Sequence, residues 1–422
     1  MAKLKLVSLK NKIHVKHGFP FKGELFSSEG KYIVLTPGNF EESGGFKLEL
    51  DKAKYYGGEI PLDYVCKKGD LVVAMTEQAE GLLGSTALVP EDDRFLHNQR
   101  IGLITITDSE LDKLFVYHLF NTKSVRQQIR RSSSGSKVKH TSPDRIYDVL
   151  VELPSLSTQQ KIARVLSSLN AKIKLNHKIN ASLDLLAKTI FDYWFVQFDF
   201  PDKNGKPYKS SGGKMVWNEK LKREIPEGWC VESLDFSEIT KLIDTGINNF
   251  DGKKIYLSTS EVENDLIVNH DIFEKYENRT SRANMQPKSN SVWFARMKDT
   301  KKIILVPDFA TEILDKYIFS TGFAGLQVKE NGLYYVWNFV NSENFENVKN
   351  LNSTGSTQKG IINESITNIS LIIPKDELLD KFNLLVKNAY IQKYLIEREN
   401  IHLIKLRDFL LPMLMNGQVQ VS

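Results

Sequence analysis

The feature that most constrains this chain is a heptad repeat that runs from Ser157 to Phe195. With Ile162 at position a, eight of its ten a and d positions are apolar. Such a pattern predicts a coiled-coil helix, roughly 57 Å long at 1.5 Å per residue. Pro154 and a capping box from Ser157 to Gln160 mark its predicted start. The predicted pairing residues are Ile162, Val165, Leu169, Ile179, Leu183, Leu186 and Ile190.

The same frame recurs 220 residues further along, which makes the chain an internal repeat. Gly135 aligns with Gly355 and Pro154 with Pro374, and the heptads then continue from Phe382. Connectivity favours antiparallel pairing of the two helices, because a parallel pair would force the linker to run back the full helix length. The alternative is that each helix is the buried face of its own domain. The predicted pairing residues of the second helix are Phe382, Leu385, Ile396, Leu403, Leu406 and Leu410.

These patterns predict an α+β fold, with two strand-rich globular domains separated by an antiparallel pair of long α-helices in a pseudo-two-fold repeat. Short apolar runs such as Leu71–Met75 and Ile101–Ile106, flanked by turn residues, predict the strands. One further helix is predicted from Asp112 to Arg130, and Trp229 is a predicted packing anchor. The predicted segments are a first globular domain (1–153), a central helical region (154–200), a linker (201–224), a second globular domain (225–373) and a C-terminal helical region (374–422).

The composition is that of an ordinary soluble chain. Its 422 residues are 41% hydrophobic and 26% charged, and no run approaches 18 consecutive apolar residues. The lysine-rich start is not followed by an apolar segment, so we expect a cytoplasmic protein with no membrane partner. Two cysteines, Cys66 and Cys230, are too few for a disulfide framework or a structural zinc site. We therefore expect no bound metal.

Basic and small residues cluster between Asn121 and Ser142, where no Asp or Glu occurs. Cations at the end of a helix, followed by Ser and Gly, allow close approach to a phosphate backbone. The net charge is only +5, so contacts to nucleic acid must come from such local clusters. A solvated charged face is the alternative, and a matching loop at 352–359 weakens it. The candidate DNA-binding residues are Arg126, Arg130, Arg131, Ser134, Ser136, Lys137 and Lys139, with Lys359 in the matching loop.

A second stretch without acidic residues lies between Asn278 and Lys298. Asn and Gln residues alternate there with cations, and Arg, Asn and Gln are the side chains that read guanine and adenine edges in the major groove. The pattern has low specificity, because loops are polar in general. The candidate DNA-binding residues in this stretch are Arg279, Arg282, Lys288, Arg296 and Lys298.

From end to end, the chain resembles the specificity (S) subunits of type I restriction-modification systems. The resemblance is carried by Leu153–Ala163 with its weaker copy from Pro374, and by Gly69–Met75, Asn98–Gly102 and Tyr208–Trp229. It implies two target-recognition domains, each reading one half of a split sequence in double-stranded DNA, with the helices as a ruler between them. It also implies docking of two modification (methyltransferase) subunits and of restriction (translocase and nuclease) subunits. S-adenosylmethionine, ATP and Mg²⁺ are expected on those partners, and no cofactor is expected on this chain.

The second helical region departs from the family pattern, because Asp376 and Leu379 replace the Ser and Gln of its Ser-x-x-Gln start. Capping by Asp376 is expected instead, and equal docking of a partner at both helical regions is in doubt.

The chain itself is predicted to be non-catalytic. It has no Pro-Pro pair for an amino-methyltransferase motif and no Gly-x-x-x-x-Gly-Lys phosphate loop. Asp251-Gly252-Lys253 fits a short nuclease pattern, but a match of three residues is expected by chance. Two other functions stay open: an enzyme with a fused nuclease or modification domain, and a coiled-coil scaffold with two protein-binding domains and no DNA role.

Overall fold

The computed structural model describes residues 6–77, 80–355 and 359–419. The chain divides into two units. The first unit comprises residues 1–175 and 399–422, and the second comprises residues 176–398. Each unit therefore combines one strand-rich region with parts of two long helices. Ser356, Thr357 and Gln358 of the matching loop lie outside the described residues.

The first unit is built on a four-stranded sheet in the order β2-β10-β6-β8 and a smaller sheet in the order β3-β5-β4-β9, with the pairs β1-β12 and β7-β11 beside them. Its strands are β1 (Leu6–Ser8), β2 (Ile13–His17), β3 (Phe26–Ser27), β4 (Ile33–Val34), β5 (Tyr55–Tyr56), β6 (Leu71–Ala74), β7 (Thr76–Glu77), β8 (Thr86–Leu88), β9 (Phe95–Leu96), β10 (Ile101–Ile106), β11 (Lys139–His140) and β12 (Leu150–Glu152). Its helices are α1 (Lys113–Phe120), α2 (Lys123–Arg131), α3 (Pro143–Tyr147) and the start of α4 (Leu156–Phe191).

Strand β6 is covered on both faces. Leu71 and Val73 pack into one apolar cluster, which includes α1 and α2, while Val72 and Ala74 pack into another under the smaller sheet. Because successive side chains of a strand point to opposite faces, a strand covered on both faces reads as a continuous apolar run.

The helix predicted from Asp112 to Arg130 is two helices. The chain breaks at Asn121, whose side-chain amide donates to Thr86 Oγ1 (2.9 Å) and whose Oδ1 accepts from the Thr86 N–H (3.2 Å). Thr122 then caps α2, its hydroxyl oxygen accepting from the Val125 N–H. A tertiary contact to β8 thus outweighs the continuous helical pattern.

The second unit repeats the central sheet, in the order β16-β25-β22-β23, and the pair β15-β26. Its second sheet has the order β20-β17-β24-β21, in which the fourth strand, β21, lies at the other edge from β3 in the first unit, and β13-β14 and β18-β19 are additional pairs. Its strands are β13 (Met215–Asn218), β14 (Arg223–Pro226), β15 (Cys230–Ser233), β16 (Thr240–Leu242), β17 (Lys254–Leu257), β18 (Val262–Glu263), β19 (Leu266–Ile267), β20 (Phe273–Glu274), β21 (Ala283–Met285), β22 (Ser291–Ala295), β23 (Ile303–Val306), β24 (Tyr317–Ser320), β25 (Phe323–Val328) and β26 (Ser370–Ile373). Its helices are α5 (Thr311–Lys316), α6 (Leu333–Val340), α7 (Glu343–Leu351), α8 (Asn363–Ile366) and the start of α9 (Asp376–Met415), with a π-helical turn at Asp192–Val196 after α4.

The segment predicted as a linker, 201–224, is structured. It contains β13 and the start of β14, which form a hairpin. The Phe200 ring stacks on the rings of Tyr208 (4.6 Å between centroids) and Trp229 (5.2 Å). Trp229 is buried, as expected for a packing anchor.

The start of α4 differs from the predicted capping box. Ser155, rather than Ser157, precedes the helix and accepts from the Thr158 N–H (3.4 Å). The buried Gln159, rather than Gln160, ties the helix to its domain, because its amide donates to the carbonyl of Glu110 (2.9 Å). Asp376 likewise does not cap α9 in the expected way, since its carboxylate binds Lys329 Nζ (2.8 Å).

Within each unit the segments of α4 and α9 run antiparallel. In the first unit Asn170 Oδ1 accepts from Arg407 (3.4 Å), and two residues later Lys172 pairs with Glu399 (3.1 Å). In the second unit the corresponding contacts are Asp184 with Lys393 and, further along α4, Phe191 with Phe382. In both units, higher residue numbers on α4 meet lower numbers on α9.

Each helix has two predicted rows of pairing residues, and in both helices only one of these rows faces inward. The row through Ile162 and the row through Phe382 are buried or half-buried. In the other row, by contrast, the exposed fractions are 38% for Ile179, 53% for Leu186, 55% for Leu385 and 45% for Leu406. The second inward-facing row lies one residue later, at Leu166, Ile173, Asn180, Ala187 and Trp194 in α4 and at Val386, Lys393, Asn400, Arg407 and Leu414 in α9.

Candidate nucleic-acid interface

The loop after α2 is held as a closed turn against β7. Ser134 and His140 exchange two backbone hydrogen bonds of 2.9 Å, and β11 pairs with β7 through Lys139 and Glu77. Gly135 has φ +93°, and a Cβ there would lie 2.0 Å from the Val138 carbonyl oxygen, so the turn requires glycine. The turn exposes the side chains between its two closing residues.

The second unit builds the same turn at the equivalent place. Thr354 and Gly360 exchange two backbone hydrogen bonds of 2.9 Å, and the Lys298 N–H donates to the Lys359 carbonyl oxygen (2.9 Å). Gly355 has φ +122°. The described ends of the two loops therefore match in space as well as in sequence.

Two of the predicted DNA-binding arginines in the first unit point inward. Arg126 donates to the carbonyls of Gly81 (2.6 Å) and Phe120 (3.2 Å), and burial lowers its pKa to about 10. Arg130 pairs with the buried carboxylate of Glu77 (2.9 Å). These contacts hold the loop before β8, so both arginines are structural residues.

The other candidates of the first unit lie at the surface. Arg131, Ser134, Ser136 and Lys137 are exposed and Lys139 is half-buried. Arg131 and Lys139 line one cleft together with Gln127 and Arg130. Ser134 Oγ accepts from Arg145 (2.9 Å).

Sequence reasoning missed two cations at this edge. Arg145 donates to Ser134 Oγ and to the His140 carbonyl oxygen (3.2 Å), so it stabilises the closed turn through both of its closing residues. Arg100 is exposed, and its carbonyl oxygen accepts from the Met75 N–H (3.0 Å) just before β7. Arg100 belongs to the stretch Asn98–Gly102, which already stands out in the sequence, so sequence reasoning could have found it. We define the first basic surface as Arg100, Arg131, Lys137 and Lys139.

In the second unit, Arg296 and Arg279 are occupied by local contacts. Arg296 donates to Asn363 Oδ1 (2.7 Å) and to the Phe323 carbonyl oxygen (3.2 Å), and burial lowers its pKa. Arg279 donates to the Tyr276 carbonyl oxygen (2.6 Å) and lies over the Tyr276 ring. Arg296 is therefore a structural residue. The Arg279 guanidinium is held by its contact with the Tyr276 ring.

The remaining candidates of the second unit separate into two places. Arg282 is exposed, and its carbonyl oxygen accepts from the Thr321 N–H (2.9 Å). The carbonyl oxygen of the adjacent Gly322 accepts from the Arg296 N–H (2.9 Å), two residues before Lys298. Lys288 precedes β22, whereas Lys298 follows it, so a strand of five residues (about 16 Å) separates them. We define the second basic surface as Arg282, Lys298 and Lys359.

Other chemistry is sparse in the part of the chain that the structure describes. No group of three or more His, Cys, Asp or Glu side chains there could hold a metal ion. No helix among those residues is long and apolar enough to cross a membrane. Cys66 is buried and Cys230 is exposed, and both are free thiols.

Comparisons with known proteins agree with these observations. Residues 2–185 match the family described as "Type I restriction modification DNA specificity domain". The chain is 26% identical over 325 residues to the type I restriction enzyme MjaIX specificity subunit of Methanocaldococcus jannaschii, covering 73% of this chain and 69% of that protein. It is 22% identical to the type I restriction enzyme HindI specificity subunit of Haemophilus influenzae, covering 93% of this chain and 95% of that protein.

A solved structure shares the fold. The crystal structure of the type I restriction-modification S subunit from M. genitalium matches 100% of this chain and 98% of its own, with a TM-score of 0.60 and 15% identity. At that identity the likeness concerns the fold.

Proposed function

The chain belongs to the family of type I restriction-modification specificity subunits, and from this premise we propose that each basic surface reads one half of a split DNA target. Specificity subunits are non-catalytic, and this chain is one of them. The proposal rests on one observation. The same turn, on the same sheet order, presents cations in both units, but the residues differ.

Different residues on one scaffold give different recognition. Glu77 in the first unit occupies the place of Lys298 in the second, because each pairs with the turn through Lys139 or Lys359. The first half-site would thus meet Arg100, Arg131 and the turn lysines Lys137 and Lys139, with Glu77 buried beneath them, whereas the second would meet two adjacent lysines. Lysine and arginine position phosphates, and arginine also discriminates bases. We propose residues 1–153 and 225–373 as the two target-recognition domains.

The exposed apolar side chains of the long helices support docking of partner subunits. Leu185 and Leu186 on α4, and Leu384 and Leu385 on α9, are exposed in the second unit. Apolar side chains grouped on a helix mark interaction sites. We propose that two modification subunits dock on the helical regions, 154–200 and 374–422, and that restriction subunits join the complex. S-adenosylmethionine, ATP and Mg²⁺ belong to those partners in this proposal.

The helices would also set the distance between the half-sites. One added heptad in both helices adds about 10.5 Å, or roughly three base pairs. Methylation mapping with such a chain should give a longer spacer and unchanged half-sites. Altered half-sites with the original spacer would contradict the ruler.

DNA binding by the basic surfaces can be tested by fluorescence anisotropy of the complex across a salt series. The double variants Lys137→Ala/Lys139→Ala and Lys298→Ala/Lys359→Ala should each reduce the slope of log affinity against log salt by up to about 1.8, that is, by about 0.9 per lost phosphate contact. Lys67→Ala/Lys68→Ala is the matched control, because this pair precedes β6 while the turn pairs with the strand after it.

The outcomes separate the competing functions. An unchanged slope in both double variants would remove these surfaces from the DNA interface. A flat salt dependence of the unaltered complex would favour the scaffold with two protein-binding domains. Cleavage or methyl transfer by the purified chain alone would favour the fused enzyme.

A further inference from the structure

Lys393 joins three separate parts of the second unit. Its ammonium Nζ donates to both carboxylate oxygens of Asp184 on α4 (2.8 and 2.7 Å) and to Asp265 Oδ2 (2.5 Å). Asp265 lies in the turn between β18 and β19. The Lys393 side chain is only 10% exposed. One cation therefore links both long helices to the strand-rich region.

Neighbours of Lys393 on the same face of α9 also bind the strand-rich region. The Tyr390 ring stacks on Tyr334 (4.5 Å between centroids, 3° between planes). Four residues later the Tyr394 ring meets Phe309 (5.5 Å), and four residues after that Arg398 pairs with Glu312. Residues spaced by four share a helix face. This face of α9 therefore contacts α5, α6 and the turn that carries Asp265.

The contact continues from Asp265 to the second basic surface. The carbonyl oxygen of the adjacent Asn264 accepts from the Ile303 N–H (2.7 Å), and Lys302 Nζ donates to the Thr259 carbonyl oxygen (2.7 Å). Ile303 begins β23, directly after the loop that carries Lys298. Lys393 is thus connected to the candidate reading surface through the turn that carries Asp265 and the loop between β22 and β23.

The first unit does not repeat this arrangement. In the 220-residue repeat, Ile173 stands where Lys393 stands, and Ile404 stands where Asp184 stands. Asn170 and Lys174 replace Tyr390 and Tyr394. Residues of these types cannot form the ion pair or the ring contacts, so the linkage belongs to the second unit.

The chemistry of the linkage favours a fixed geometry over added stability. A buried ion pair offsets the desolvation of its charges only when its geometry is good, and hydrophobic residues of similar volume are often as stable. Burial opposes the charge on Lys393, but Asp265 and Asp184 outweigh it and raise its pKa. The ammonium therefore stays charged, and its hydrogen bonds to the two carboxylates fix the position of the turn relative to both helices.

We infer that Lys393 is a positioning residue, which holds the second target-recognition domain in one orientation on the paired helices and thereby sharpens the choice of spacer between half-sites. The inference rests on the proposed function. Any rotation of the second basic surface about the helices would change the distance between the two reading surfaces. Loss of the linkage should therefore relax spacer choice and leave both half-site sequences unchanged.

The test is methylation by the complete complex on DNA that carries both half-sites at the cognate spacer and at spacers one base pair shorter or longer. Lys393→Met and Asp265→Asn should each lower the ratio of cognate to non-cognate rates on the order of tenfold, the usual size of such couplings. Asp265→Glu keeps the carboxylate and should retain most of the ratio. Lys381→Met, an exposed lysine on the same helix, is the matched control.

Thermal unfolding of each variant is measured beside the rates. A lower melting temperature with an unchanged spacer ratio would overturn the inference, since Lys393 would then serve stability alone. A change in half-site bases would also overturn it. If Lys393→Met does not fold, Asp265→Asn decides the question, because Asp184 still accompanies the ammonium in that variant. An unaltered complex that shows no split target would refute the proposed function itself.

Discussion

The two units share the strand order of their central sheet but attach it to the long helices through different residue types. At the end of α9 the first unit uses Leu411, Leu414 and Met415, whereas the equivalent positions at the end of α4 carry Phe191, Trp194 and Phe195. The repeat therefore preserved the central sheet, while the residues that anchor each domain to the helices diverged.

The aromatic anchor of the second unit is centred on Phe195. Its ring lies 4.7 Å from Tyr335, 5.0 Å from Phe382 and 6.1 Å from Trp229. Aromatic rings at these separations contribute beyond the area they bury. Met415 at the equivalent position is buried in an aliphatic cluster, which contains Leu166 and Leu414.

The largest expected effect comes from removing this anchor. Phe195→Ala should lower the free energy of unfolding by about 4 kcal/mol, and Met415→Ala should lower it by about 2–3 kcal/mol, because the aromatic side chain leaves the larger cavity. Denaturant unfolding followed by far-ultraviolet circular dichroism, which reports on both units, measures both. A larger loss for Met415→Ala would mean that the aliphatic anchor is the tighter one.

The next comparison sets Glu77 against Lys298. The Glu77 carboxylate accepts from the N–H groups of Gly81, Leu82 and Leu83 (3.1, 3.1 and 2.8 Å) and binds Arg130. Glu77→Ala leaves the buried Leu83 N–H and the half-buried Gly81 and Leu82 N–H groups without this acceptor, so it should destabilise the chain by about 3 kcal/mol. Lys298→Ala should change stability by less than about 0.5 kcal/mol and weaken DNA binding instead. Similar stability losses in both variants would contradict the division between a structural and a reading role.

The heptad pattern predicted the two long helices and their antiparallel direction. It misplaced one of the two rows of residues that face inward in each helix. The prediction took the more apolar choice, the row with Leu186 and Leu385. The row that faces inward contains Lys393 and Arg407, which are tolerated there because Asp184 and Asn170 on the other helix accept their hydrogen bonds. Partners more than 200 residues away are not visible in a heptad count. The apolar residues left outside stand on the face proposed for partner subunits.

The candidate site was predictable in its location but not in its members. The repeat of Ser, Gly and Lys residues located both turns, because a closed turn with positive φ needs glycine at a fixed place. Composition could not show that Arg126 points inward and that Arg131 faces solvent. Arg126 turns inward to a carbonyl 45 residues away, at Gly81, whereas Arg131 faces solvent.

A smaller effect should appear in the pH dependence of stability, because Glu397 of the second unit titrates. Burial raises the pKa of Glu397 to about 7, with Asp265 and Asp184 adding to the rise and Lys393 opposing it. The folded chain then holds a proton that the unfolded chain releases, so stability falls as pH rises from about 4.5 to 7. We expect a fall of about 1–2 kcal/mol, because partial exposure reduces the full value.

Glu397→Gln tests this directly, since the amide does not titrate. The variant should match the unaltered chain near pH 5 and melt at a higher temperature near pH 8. A parallel pH dependence of the two proteins would exclude Glu397 as the source. His177 on α4 replaces Glu397 in the 220-residue repeat, so no equivalent carboxylate exists at that position of α4.

The smallest expected effect concerns the two helix starts. Ser155 accepts the Thr158 N–H at the start of α4, so Ser155→Ala should destabilise by about 1 kcal/mol. Asp376 at the start of α9 pairs with Lys329, and both side chains are nearly half exposed, so Asp376→Ala should cost about 0.5 kcal/mol or less. Denaturant midpoints of the two variants measure the difference. The larger loss belongs to the serine, because a cap satisfies a backbone donor that otherwise has no partner in the helix, whereas a solvated ion pair exchanges its partner for water. A larger loss for Asp376→Ala would mean that the exposed pair to Lys329 fastens the second domain to its helix.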